Sequence, residues 1–88
     1  MNDTQPQKRP VLLIVEDEDS IAIPLADGLR REGFDVERVA TGAEALAAPE
    51  PDLMLLDLQL EDGDGYSLLR EYADRDLSIL VISAREEV

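Results

Sequence analysis

Residues 11–19 read VLLIVEDED. Five apolar residues without polar alternation, β-branched at Val11, Ile14 and Val15, describe a strand buried on both faces, which is the parallel-sheet pattern. The run breaks off into four consecutive acids, so a buried strand ends where carboxylates begin. A second run of the same kind, Leu53-Met54-Leu55-Leu56, carries an acid inside it, Asp57, before Leu58. Residues 77–82 form a further strand that ends at Ser83.

The segments between these strands carry helical spacing. Ile21, Leu25 and Leu29 recur every fourth residue on one face. Asp19 or Ser20 is placed to cap that helix, and Pro24 falls within or just after its first turn. Gly33 stands where a terminating glycine belongs. Residues 34–40 read as a shorter strand of mixed character near a sheet edge. Thr41 caps a short helix over 42–48, which Pro49 and Pro51 stop. Residues 61–65, EDGDG, form a loop, and a third helix over 66–73 turns Leu68, Leu69 and Tyr72 inward. The order β-α-β-α-β-α-β implies right-handed crossovers and a doubly wound parallel α/β sheet with helices on both faces. Residues 1–10 read as a flexible arm and 11–88 as one domain.

Composition narrows the chemistry. Eight Lys+Arg against 21 Asp+Glu give a formal charge of −13 over 88 residues. That field repels nucleic acid and anionic membrane and suits cations or basic partners. There is no cysteine and no histidine, which removes thiolate and Ser-His-Asp catalysis and zinc sites of the usual kind. The longest apolar run, residues 11–15, is far too short to cross a bilayer, and the polar start of the chain lacks a signal core. A cytoplasmic protein is expected.

In an open parallel sheet, ligands bind beyond the carboxyl ends of the strands, where strand order reverses. Glu16 and Asp17 follow the first strand and Asp57 closes the third. If those strands are neighbours, as in the order 2-1-3-4, three carboxylates share one rim. Such charges repel unless a cation joins them, and hard oxygen ligands with positions left for water and phosphate describe a Mg²⁺ site. Glu18 and Asp19 are assigned to capping and loop roles. Asp57 is the acid that requires a reason, because it lies in an apolar run with no basic residue nearby in sequence.

LLIVEDED, PDLMLLDLQLEDGDG and LSILVISAR, in that order and on those elements, resemble the receiver domain of two-component response regulators. The resemblance implies a flavodoxin-like fold with strand order 2-1-3-4. It aligns Asp57 with the phospho-accepting aspartate, and Glu16 and Asp17 with the acidic pair that holds Mg²⁺. The backbone carbonyl of Gln59 would be a further ligand. Ser83 aligns with the switch hydroxyl, Ala84 with the small residue beside it, and Gly65 with the glycine after the phosphorylation site. A histidine kinase is the implied phosphodonor. The implied role is that of a signalling domain, not an enzyme, although it assists its own phosphoryl transfer and dephosphorylation. The Glu-Asp pair and the SAR ending look most like receivers of winged-helix DNA-binding regulators. Transcription regulation would then belong to a longer parent, with no nucleic acid bound by this segment.

Departures from the family pattern set further expectations. Glu61 stands where proline is frequent, and the second helix is short. The fifth strand, the lysine after it and the aromatic switch position are absent, so the domain is expected to be incomplete at its C-terminus. The fourth-strand edge is then available for self-association or domain swapping. An interaction or assembly module without phosphotransfer is the main rival reading. A Mg²⁺-dependent phosphohydrolase of the haloacid-dehalogenase kind, using Asp17-Glu18-Asp19, is a lesser one that leaves Asp57 unexplained. A calcium loop from Asp57 fails, with Asp62 where glycine is needed and Leu68 where glutamate is.

Overall fold

A computed structural model describes residues 9–60 and 65–82. The elements are β1 (Val11–Val15), α1 (Asp19–Arg31), β2 (Asp35–Val39), α2 (Gly42–Ala47), β3 (Leu53–Asp57), α3 (Gly65–Tyr72) and β4 (Ser78–Ile82). The four strands are parallel and stand in the order β2-β1-β3-β4, as the sequence implies. β1 and β3 are the central pair, and each is buried along its last four residues.

Alternation along those two strands divides the core. Leu13, Val15, Met54 and Leu56 face one way, with Ala45 of α2 and Leu68 and Tyr72 of α3. Leu12, Ile14 and Leu55 face the other way, with Val36 of β2 and Ala26 of α1. Each fully buried aliphatic side chain contributes about 1.5–3 kcal/mol, so an acid at either strand end sits against the grain of its surroundings.

α1 differs from its sequence reading at its start and along its buried face. Its N-cap is Glu18, with no side-chain cap bond, whereas Asp19 and Ser20 already lie inside the helix. Ala22 and Ala26 are buried, while Ile21, Leu25 and Leu29 are only partly covered. Small side chains let the helix approach the sheet closely, and Leu25 and Leu29 pack against the flank of that contact. Pro24 lies in the second turn, on the exposed side. The helix ends as expected at Gly33, whose φ of 104° suits glycine. There the Gly33 and Phe34 N–H groups donate to the Arg30 and Leu29 carbonyls, a Schellman closure.

Thr41 caps α2 in a reciprocal box with Glu44. The helix is one and a half turns long, and beyond it lies a cavity of about 260 Å³ lined by Val11, Leu13, Ala48, Pro49 and Pro51 together with Asp35 and Glu37. The buried Tyr72 hydroxyl donates to the Ala45 carbonyl at 3.1 Å and ties α3 to α2. β4 is the outer strand beside β3, in register from Leu53–Ser78 to Asp57–Ile82. Its Leu80 and Val81 are 57% and 42% exposed. Ser83, Ala84 and Glu61 lie outside the described residues.

Candidate functional site

Strand periodicity places two acids on one face. Leu12, Ile14 and then Glu16 alternate toward α1, as do Leu53, Leu55 and then Asp57. Val15 pairs with Leu56, so the next rung of the ladder carries Glu16 and Asp57 side by side. Asp17 follows at the turn into α1. One carboxylate oxygen from each of Glu16, Asp17 and Asp57 lies within 4.8 Å of the others. Glu16 is 1% exposed, Asp57 is 4% exposed and Asp17 is half-buried.

Main-chain donors order Glu16 and Asp57. The Gln59 N–H donates to Asp57 Oδ1 at 2.9 Å, which fixes the carboxylate and holds Gln59 beside it. The Glu18 N–H donates to Glu16 Oε2 at 3.0 Å. The other oxygen, Glu16 Oε1, is buried and meets no donor among the described residues. The Glu16 carboxylate lies close to those of Asp57 and Asp17. A buried acceptor without a donor, in a group of carboxylates, is costly unless a proton or a cation joins it. Three hard oxygen ligands, one of them orphaned in this way, fit a divalent cation of the Mg²⁺ class.

The same crowding shows in proton affinity. Burial first, then the charge of Asp57 and shared contacts with Asp57 and Asp17, push the Glu16 carboxyl from 4.5 up to about 7, against the Glu18 N–H, which favours ionisation. Its folded value thus lies above its unfolded one. The contribution to stability is complete below about pH 4.5 and is lost as pH rises to about 7. In EDTA, the urea midpoint should fall across that window, by the equivalent of up to about 3 kcal/mol. Glu16→Gln should flatten the fall. A wild-type midpoint that matches Glu16→Gln throughout would contradict this.

The structure brings together Glu16, Asp17 and Asp57 as the sequence implied, and places Gln59 next to Asp57. Gly65, the first residue of α3, backs onto the main chain of Asp57 and Leu58. Asp19 is on the surface and pairs with Arg38 at 2.8 Å, so Asp17-Glu18-Asp19 does not converge as a separate triad. Arg38 is the neighbour the sequence reading missed. Its Nε donates to the Glu16 carbonyl at 2.9 Å. Alternation from the buried Val36 would have put Arg38 on the same side as the acids.

Comparison with known proteins identifies the family. The response regulator receiver domain family matches residues 12–88. The transcriptional regulatory protein CssR of Bacillus subtilis is 37% identical over 79 residues, covering 85% of this chain and 35% of that protein. The chain therefore spans about a third of the length of the curated relatives it matches. The non-phosphorylated HemR receiver domain from Leptospira biflexa superposes with a TM-score of 0.81 at 32% identity, covering 91% of this chain and 68% of that one. A Burkholderia pseudomallei response regulator, solved with a phosphorylated aspartic acid, calcium ion and citrate, gives 0.80 at 30% identity over 90% of this chain and 49% of its own. Among the described residues, no helix is long and apolar enough to cross a membrane.

Proposed function

Because the chain belongs to the response regulator receiver domain family, we propose that Asp57 is its phospho-accepting residue and that Glu16, Asp17 and Asp57, with the Gln59 carbonyl, hold Mg²⁺. The observation that carries this reading is the buried Asp57 beside Glu16, one of whose buried oxygens meets no donor among the described residues. The phosphorylated aspartic acid and calcium ion of the Burkholderia protein lend it support.

In the proposed transfer, an Asp57 carboxylate oxygen forms the new O–P bond. The N–P bond to a phosphohistidine of a partner kinase breaks, and its electron pair leaves with the imidazole, which takes up a proton from water. Positioning and charge neutralisation carry such a reaction. The Gln59 N–H holds Asp57 in one orientation, leaving its other oxygen free of that bond for attack. Bound Mg²⁺ would offset the three carboxylates and the phosphoryl oxygens. The phosphoryl group, carrying roughly −1.5 to −2 in place of the carboxylate's single charge, then biases a two-state element through the Ser83 hydroxyl. The chain is a signalling domain and not a turnover enzyme, its phosphodonor is a histidine kinase, and it works in the cytoplasm. Transcription regulation is the output of a longer parent, in line with the relatives' names.

Exposed Leu80 and Val81 on the outer strand favour a second reading, in which β4 pairs with another chain. Concentration-dependent sedimentation would support it, and a monomer at all concentrations would remove it.

Mg²⁺ titration followed by amide shifts tests the pocket. Shifts are expected at residues 16–17 and 57–59, with affinity rising through pH 7 as Mg²⁺ displaces the Glu16 proton. Shifts confined to other regions would overturn the site.

A further inference from the structure

We infer that Arg38 is a positioning residue that fixes the Glu16–Asp17 segment and thereby sets the affinity of the acidic pocket for Mg²⁺, an inference that rests on the proposed metal site. Arg38 stands on the edge strand β2, with its side chain 23% exposed. Its Nε donates to the Glu16 carbonyl at 2.9 Å, and the Glu16 N–H donates to the Val39 carbonyl at 3.0 Å. Both main-chain groups of Glu16 are therefore held by the last two residues of β2. The Glu16 carbonyl belongs to the peptide that leads into Asp17, so its plane sets where Asp17 begins. The same guanidinium reaches Asp19 Oδ1, the first residue of α1, at 2.8 Å. Because α1 starts without a side-chain cap, this fork joins the strand end to the helix start where a cap does not.

Energetic considerations separate positioning from general stabilisation. Asp19 is 73% exposed, and ion pairs with so open a partner add little to stability. The fork's geometry matters more, and lysine, a point charge on a flexible stem, does not reproduce it. Charge alone would act in the opposite direction. A cation beside the pocket repels Mg²⁺, so removing it without any positioning role would tighten binding.

The test uses the full chain as wild type, Arg38→Met and Arg38→Lys. Mg²⁺ affinity is read from amide shifts, and hydrogen exchange at the Glu16 and Glu18 amides is read in metal-free protein. Arg38→Met should weaken Mg²⁺ about tenfold, the low end for partners outside the ligand shell. Arg38→Lys should weaken it in the same direction, and both should speed exchange at Glu16. Half-saturating Mg²⁺ for phosphorylation should rise while the rate at saturation holds. Equal or tighter Mg²⁺ binding in Arg38→Met, with Arg38→Lys like wild type, would overturn the inference and leave Arg38 as a charge only. A wild type with no response at residues 16–17 and 57 would sink the metal reading and the affinity claim together. Exchange at Glu16 would then still decide the tether, with unchanged exchange in Arg38→Met refuting it.

Discussion

Asp57→Asn should lower acid-labile phosphate from an acyl phosphate or a kinase donor by about a hundredfold or more, because the nucleophilic oxygen is replaced by a neutral amide. The fold should survive. Asparagine keeps an oxygen for the Gln59 N–H, which now donates to Asp57 Oδ1 at 2.9 Å. It also removes one of the charges that raise the Glu16 proton affinity. Metal-free protein at pH 8 should therefore gain about 1 kcal/mol of stability, while Mg²⁺ binding weakens. The two measurements point in opposite directions, so loss of labelling cannot be confused with unfolding. Labelling undiminished in Asp57→Asn would place the acceptor elsewhere.

Gly65→Ala should be the most disruptive small substitution among the described residues. A Cβ there would lie 2.5 Å from the Leu58 Cα, 2.7 Å from the Asp57 carbonyl oxygen and 2.9 Å from the Leu58 carbonyl carbon. All three are main-chain atoms, so no side-chain rotation relieves the overlap. Either α3 moves away or the end of β3 does, and the second displaces Asp57. Overpacking of this kind costs about 2–3 kcal/mol, or roughly 10–20 °C in melting temperature for a domain of this size. Labelling should fall as well. Gly28→Ala is the control. Nothing lies within 4 Å of its added carbon, and Gly28 is inside α1, so a gain of about 0.5–1 kcal/mol is expected. Similar melting temperatures for the two variants would show that the main chain behind Asp57 yields more easily than its packing implies.

The readability of this chain follows from which forces act locally. The runs at 11–15 and 53–57 are legible because a strand buried on both faces must be apolar throughout, which makes an acid at its end conspicuous. Strand order then brings Glu16, Asp17 and Asp57 together. Thr41 and Gly33 were legible as helix signals because each acts within a few residues of itself. The inward face of α1 was not. Spacing favoured Ile21, Leu25 and Leu29, but close approach to the sheet selects the small Ala22 and Ala26, and hydrophobicity does not encode separation. The cap at Glu18 was missed because Asp19 and Ser20 offer the stronger capping side chains, and both lie inside the helix. Arg38 was hidden for a different reason. Its partners lie 22 and 19 residues earlier in the chain, and only β1–β2 register brings them into reach.

The shared rung of Glu16 and Asp57 determines where this chain tolerates changes in length. Both acids are aimed by strict alternation along β1 and β3, so deleting or inserting one residue inside either strand would turn an acid to the opposite face, into the layer of Leu13, Val15, Met54 and Leu56. Residues 48–51, between α2 and β3, carry no such parity. They can shorten or lengthen by any number that still bridges the sheet, because β3 is registered by its ladder with β1 and not by the path that leads to it. The brief α2 is followed by open space that a longer connection could occupy. Insertions and deletions should therefore accumulate between Ala47 and Asp52 and be excluded from 11–16 and 53–57, a pattern imposed by geometry before any selection on phosphorylation itself.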